Sequence, residues 1–144
     1  LTYDEPACTY DQPYDPCHSE ANINWQAIKR QEGNPSSAWS HVKRMLQLRK
    51  RVKALGIGSI VEVPASDDGA FSAVKTALGS DDRALVVFNL CRRERSIRVD
   101  LSDTGIADLR NLLNNQVVRV NGDKLDVRLK PYGYAFYEVI SAPQ

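Results

Sequence analysis

The acidic residues are the first candidates for chemistry, because two carboxyl groups held on a rigid frame can act as a general acid and a general base. Five of them lie in predicted turns: Asp67, Asp68, Asp81, Asp82 and Asp103. A carboxylate in a turn is normally a solvated surface charge. The sequence also contains no glycine-rich phosphate loop and no nucleophile elbow. We therefore predict that this chain has no catalytic and no cofactor-binding residues of its own.

Histidine and cysteine are too few and too scattered to predict a metal site. Cys17 precedes His18, but no second ligand follows at zinc spacing, and His41 is alone on a predicted helix. Cys8 and Cys17 could form a disulfide, which would indicate an oxidising compartment and favour a secreted protein. Alternatively, all three cysteines are free thiols. Cys91 follows an apolar run and is predicted to be a buried residue at a strand end.

Composition sets further bounds on the fold and on its partners. The 144 residues, 42% of them apolar, suffice for one domain with a core of its own. The formal charge of +1 provides no basic excess for nucleic acid or an anionic membrane surface. The longest apolar run, Ala84–Phe88, is strand-sized, so no membrane span is predicted. The first residue is not Met and no signal-peptide pattern follows, as expected for a processed chain or an excised fragment.

The proline-rich start of the chain is followed by one predicted helix. Residues 1–33 are predicted to be irregular, and residues 34–56 to form a helix that Asn34 caps. Pro35 suits the first helical position and Gly56 the position after the end. The helix carries a wide apolar stripe, formed by Ala38, Trp39, Val42, Met45, Leu46, Leu48, Val52 and Leu55. Such a stripe must pack on a large partner, and we expect its uncovered part to drive self-association.

Residues 57–144 are predicted to form an all-β domain. The predicted strands are Ile57–Val63, Ala70–Thr76, Arg83–Leu90, Ser96–Leu101, Leu109–Leu113, Val117–Val120, Leu125–Leu129 and Tyr134–Ile140. Asn121-Gly122 is typical of a hairpin turn between two of them. The turn 131–133 is predicted to return the last strand, with Gly133 at positive φ. Short strands without intervening helices favour an antiparallel sandwich or barrel.

A series of short motifs resembles the last barrel helix and the C-terminal domain of α-glucosidases and other members of the α-amylase superfamily. The motifs are Asn22–Gln26, Asn34–Ser37, Met45–Lys50, Ala54–Ser59, Leu112–Gln116 and Leu125–Gly133 with the strand after it. They occur in the family's order, between Ala21 and Ile140. The resemblance implies a β-sandwich preceded by one amphipathic helix from the end of a (β/α)₈ barrel. It also implies that the catalytic carboxylates lie on barrel strands outside this chain.

Three functions are compatible with these observations. The first is an accessory domain that supports the catalytic barrel of a glycoside hydrolase acting on α-glucosides. The second is the same architecture in a non-catalytic relative, such as the heavy-chain ectodomain of amino-acid transporters. The third is a carbohydrate-binding module for an α-glucan or maltooligosaccharide, in which exposed rings stack on sugars. The candidate rings are Tyr14, Trp25, Tyr132 and Tyr134.

Overall fold

A computed structural model describes residues 25–140, with side chains from residue 29 onward. The predictions for Cys8, Tyr14, Cys17 and His18 therefore lie outside the described residues. The chain divides into two compact units, Leu1–Gln47 and Leu48–Gln144. Its helices are α1 (Trp25–Glu32) and α2 (Ala38–Arg51), followed by a 3₁₀ turn at Lys53–Leu55. Its strands are β1 (Gly58–Glu62), β2 (Ala70–Ala77), β3 (Arg83–Asn89), β4 (Arg95–Asp100), β5 (Asp108–Asn111), β6 (Val117–Arg119), β7 (Lys124–Leu129) and β8 (Tyr134–Ile140).

The helical part differs from the prediction in two ways: it contains an additional helix, α1, and helix α2 begins at Ala38. Helix α1 lies in the segment predicted to be irregular, because the prolines of that segment all precede Trp25–Glu32, which is composed of residues that tolerate a helix. Helix α2 begins later than predicted. The side-chain oxygen of Asn34 accepts a hydrogen bond from the Ser36 N–H (2.9 Å), which forms a local turn instead of a cap. Ser37 caps α2 instead, since its hydroxyl accepts the Ser40 N–H at 3.2 Å.

The β-domain is an antiparallel sandwich, as predicted. Six strands form one sheet in the order β1-β2-β3-β8-β5-β6, and β4 pairs with β7 in a second sheet. Along β4 and β7, every second side chain points into the space between the two sheets. Ile97 and Val99 of β4 and Leu125, Val127 and Leu129 of β7 are all at most 7% exposed. The predicted core face of β7 is therefore confirmed.

The two predicted hairpins near the end of the chain are wrong. Gly122 and Asp123 both have positive φ, as in a two-residue hairpin loop, but only Asn121 and Lys124 pair across it. Strand β6 then pairs with β5 and β7 with β4. Likewise β8 pairs with β3 and β5 rather than with β7. The local turns form, but each passes the chain from one sheet to the other because a sandwich core needs both layers.

The face of the six-stranded sheet turned away from this core is partly covered by the 3₁₀ turn. That turn contacts β2 and β3, and the sheet residues on this face are small and buried: Ala73, Ala77, Ala84 and Val86. Lys75 lies on the same face and donates to the carbonyls of Leu55 (3.2 Å) and Gly56 (3.3 Å). A cation at the carbonyl end of a helical segment is favourable. Lys75 thereby fixes the end of the helical segment on the sheet.

Helix α2 also has an apolar helix face, which we define as Trp39, Val42 and Leu46. These side chains are 42%, 53% and 53% exposed, respectively. Leu48 and Val52, farther along the predicted stripe, are buried. Among the residues that the structure describes, the predicted stripe is therefore only partly buried.

Candidate functional site

Several of the described carboxylates of the β-domain pair with arginines. Five ion pairs link Asp67 to Arg95, Asp126 to Arg98, Glu138 to Arg110, Asp108 to Arg119 and Glu94 to Arg128. The hydrogen bond from Arg95 lowers the pKa of Asp67, and that from Arg98 lowers the pKa of Asp126. A general acid needs the opposite shift. Among the turn carboxylates named above, Asp68, Asp81, Asp82 and Asp103 are exposed.

Residues 25–140 contain neither a grouped set of metal ligands nor a membrane-spanning helix. Within that range no three His, Cys, Asp or Glu side chains are grouped so that they could hold a metal ion. His41 lies exposed on α2, and Cys91 is a free, partly buried thiol. No helix in the same range is long and apolar enough to cross a membrane. That the chain holds no catalytic, cofactor or metal site stays a prediction.

The most distinctive surface is an aromatic face on the six-stranded sheet, which we define as Phe71, Phe88, Tyr134 and Phe136. Strand register brings these rings together, because Phe71 pairs with Phe88 and Phe88 pairs with Tyr134 on the side away from the core. Neighbouring ring centroids lie 5.0–6.5 Å apart. The Phe88 and Phe136 rings meet nearly edge to face, at 75°. All four side chains are partly exposed.

A tight turn at one end of the sandwich presents a second aromatic feature. The Gly133 N–H donates to the Lys130 carbonyl (2.9 Å), and Tyr132 has φ of 53° and is 62% exposed. With Pro131 before it, this is the arrangement of a type II turn. The prediction that Gly133 takes the positive φ is therefore wrong by one position. Gly133 is needed for space instead, since a Cβ there would lie 2.8 Å from the Lys130 carbonyl oxygen.

Buried Asn89, at the end of β3, holds this turn from behind. Its side-chain N–H groups donate to the carbonyls of Lys130 (2.8 Å) and Arg93 (2.7 Å). Its side-chain oxygen accepts the Cys91 N–H at 3.0 Å. Sequence reasoning missed Asn89, because nothing in a strand-end asparagine indicates 1% exposure. The one available signal was a polar residue directly after an apolar run.

The four predicted sugar-stacking residues are thus separated. Tyr134 belongs to the aromatic face, and Tyr132 stands in the exposed turn. Trp25 begins α1 with its side chain outside the described residues, and Tyr14 lies outside them altogether. The structure therefore joins none of the four into one described site.

Comparison with known proteins shows what the chain is similar to. A family model for the C-terminal domain of maltogenic amylase matches residues 78–136. A cyclomaltodextrinase of Geobacillus thermopakistaniensis (strain MAS1) is 28% identical over 103 residues, 72% of this chain and 17% of that protein. A trehalose synthase of Pimelobacter sp. (strain R48) is 32% identical over 89 residues, 60% of this chain and 15% of that protein. The chain thus spans less than a fifth of the length of these relatives.

A solved structure is similar at the level of the fold. The α-amylase from Geobacillus thermoleovorans, complexed with acarbose, has a TM-score of 0.63 at 17% identity, covering 76% of this chain and 24% of that chain. The same antiparallel sandwich is therefore present in both. The family match, the motif order and the fold agree that the β-domain is similar to the C-terminal β-domain of α-amylase-superfamily proteins.

Proposed function

We propose that this chain is the C-terminal accessory part of a glycoside hydrolase acting on α-glucosides, and that its β-domain supports the catalytic barrel. The observation that carries this proposal is the aromatic face. Partly exposed rings gathered on one sheet surface are typical of an interface with another protein surface. The barrel is the partner we infer, because the relatives extend far beyond the part that this chain matches.

On the same sheet face, the strip beside the aromatic face is already covered by the 3₁₀ turn, which supports the use of this face for docking. Where the 3₁₀ turn packs, the sheet carries alanines that let the backbone approach closely. Beyond that strip the sheet carries four large rings, each of which buries about 150–250 Å² when fully covered. At about 25 cal/mol per Å², covering the remaining exposed part of such rings stabilises an interface by roughly 1 kcal/mol per ring. The face is therefore suited to a broad apolar contact.

The test replaces two rings in the complete protein with a strand-forming residue. Phe88→Thr with Phe136→Thr retains β propensity while removing apolar area. In calorimetry we expect the unaltered protein to unfold in a single coupled transition, and the variant to unfold in two separate transitions, one for the β-domain and one for the barrel. Val117→Thr, an exposed position on β6, is the matched control and should leave the transition unchanged.

Two further measurements complete the test. The same ring variants in the 144-residue chain reveal how much stability the rings provide without a barrel; an equal loss there would contradict the docking role. The chain alone is expected not to hydrolyse p-nitrophenyl α-glucoside, whereas the complete protein should. A folded but inactive complete protein would instead support the non-catalytic alternative.

A further inference from the structure

We propose that the turn at residues 130–133 presents the ring of Tyr132 as a stacking platform for the pyranose rings of an α-glucan. This would be a sugar-contacting surface in the β-domain itself. The identity of the sugar rests on the proposed function, whereas the platform rests on the geometry of the turn. Three observations carry it: backbone strain at an exposed ring, a rigid support behind the turn, and polar side chains beside it.

The backbone at Tyr132 is in a conformation that a tyrosine does not favour. The third position of a type II turn requires positive φ, which glycine or asparagine adopts at lower cost. Tyr132 has φ of 53° and leaves 62% of its surface exposed, so burial of the ring recovers little of that cost. Strain held at an exposed side chain is typical of functional positions. The ring is therefore available for contacts outside this domain.

The support behind the turn fixes the backbone that carries the ring. Asn89 holds the Lys130 carbonyl, and the Tyr132 N–H donates to the Cys91 carbonyl at 3.1 Å. A tyrosine on a fixed backbone has only two side-chain torsions to immobilise when a ligand binds. Little conformational entropy is then lost on contact with a sugar.

The neighbouring loop provides the other groups that a sugar needs. The hydrogen bond between Tyr132 and Cys91 places residues 90–93 beside the turn. Leu90 is 60% exposed, and Arg92, Arg93 and Lys130 are exposed as well. A pyranose presents an apolar C–H face and a rim of hydroxyl oxygens. The ring and Leu90 suit the face, while the cationic side chains can donate to the rim.

The experiment is affinity electrophoresis of the 144-residue chain in gels with and without soluble starch, supported by titration with maltoheptaose followed by NMR. Tyr132→Asn removes the ring and suits the positive φ. We expect at least a tenfold loss of affinity together with a rise in the thermal midpoint of about 2–4 °C. Tyr132→Phe should bind like the unaltered chain, as should Leu113→Ala, a substitution at an exposed apolar residue elsewhere.

The paired readout separates a binding role from a structural one. A lower thermal midpoint in Tyr132→Asn would mean that the ring packs within the domain, and would overturn the proposal. Absence of starch retardation in the unaltered chain, or retardation unchanged in Tyr132→Asn, would overturn it as well. None of these results affects the coupled unfolding of β-domain and barrel, so the docking proposal is tested independently.

Discussion

Replacing Asn89 by alanine should be among the most destabilising single changes in the β-domain. The side chain is 1% exposed and links the end of β3 to the adjacent loop at Arg93 and to the turn at Lys130, which is distant in sequence. Alanine removes the bridge while the surrounding backbone groups remain. Those groups are left with reduced access to water, so their lost partners are not fully replaced.

The magnitude follows from the number of groups that lose a partner. In Asn89→Ala the carbonyls of Arg93 and Lys130 each lose a donor, and the Cys91 N–H loses its acceptor. An unsatisfied buried group costs about 1–3 kcal/mol. The Lys130 carbonyl keeps the Gly133 N–H as its donor, so two groups are left unsatisfied. Because both are only partly buried, the lower limit applies and gives a loss of about 2 kcal/mol. For a domain stable by about 5–15 kcal/mol, this is a large fraction.

The loss is measured by urea unfolding followed by circular dichroism. Asn114→Ala is the matched control, because Asn114 also bonds through both side-chain groups but does so on an exposed turn. There water replaces the lost partners, and the cost should stay below about 1 kcal/mol. Similar losses in the two variants, or a loss for Asn89→Ala below about 1 kcal/mol, would refute the account of the buried bridge.

The remaining predictions concern the core, an ion pair and the helix. Leu129→Ala should lower the free energy of unfolding by about 2–5 kcal/mol, because it leaves a cavity in the core. Arg128→Ala, at the exposed neighbouring position, should lower it by no more than about 1 kcal/mol. Equal losses in urea unfolding would contradict the register. The lowered pKa of Asp67 beside Arg95 means that its folded value lies below the unfolded value, so its stabilisation is present above about pH 4 and is lost as pH falls through the folded pKa. Asp67→Asn should therefore flatten the acid limb of the stability curve, and an unchanged limb would count against the pairing. Self-association through the apolar helix face stays a prediction: Leu46→Glu should shift sedimentation toward monomer and reduce binding of a hydrophobic dye, whereas a monomeric, dye-free unaltered chain would exclude it.

The strands could be predicted from sequence, but their partners could not. Short apolar or alternating runs between turn signals located the eight strands to within about two residues, and alternation assigned the core face of β7 correctly. Pairing across Asn121-Gly122 failed because a local turn specifies only the residues beside it. Whether the chain continues in the same sheet depends on which face each strand must bury. That is a property of the whole sandwich.

The candidate surfaces were still less visible in the sequence. Phe71, Phe88 and Phe136 lie far apart along the chain, and only the register of three strands makes them one surface. The strain at Tyr132 was missed for a related reason. From sequence, Gly133 was the residue best able to take positive φ. In the structure Tyr132 takes it, and Gly133 is required at its own position because the Lys130 carbonyl leaves no room for a Cβ.

Two adjacent residues at the end of β3 serve the two proposed surfaces from opposite faces of the strand. Alternation directs Phe88 outward to the aromatic face and Asn89 inward, where it holds the turn that carries Tyr132. A change at Phe88 should therefore weaken docking while leaving the turn intact. A change at Asn89 should loosen Tyr132 and reduce its contact with sugar even at temperatures where the domain stays folded. Because adjacent residues act on opposite faces, the two functions can be removed one at a time within a single strand.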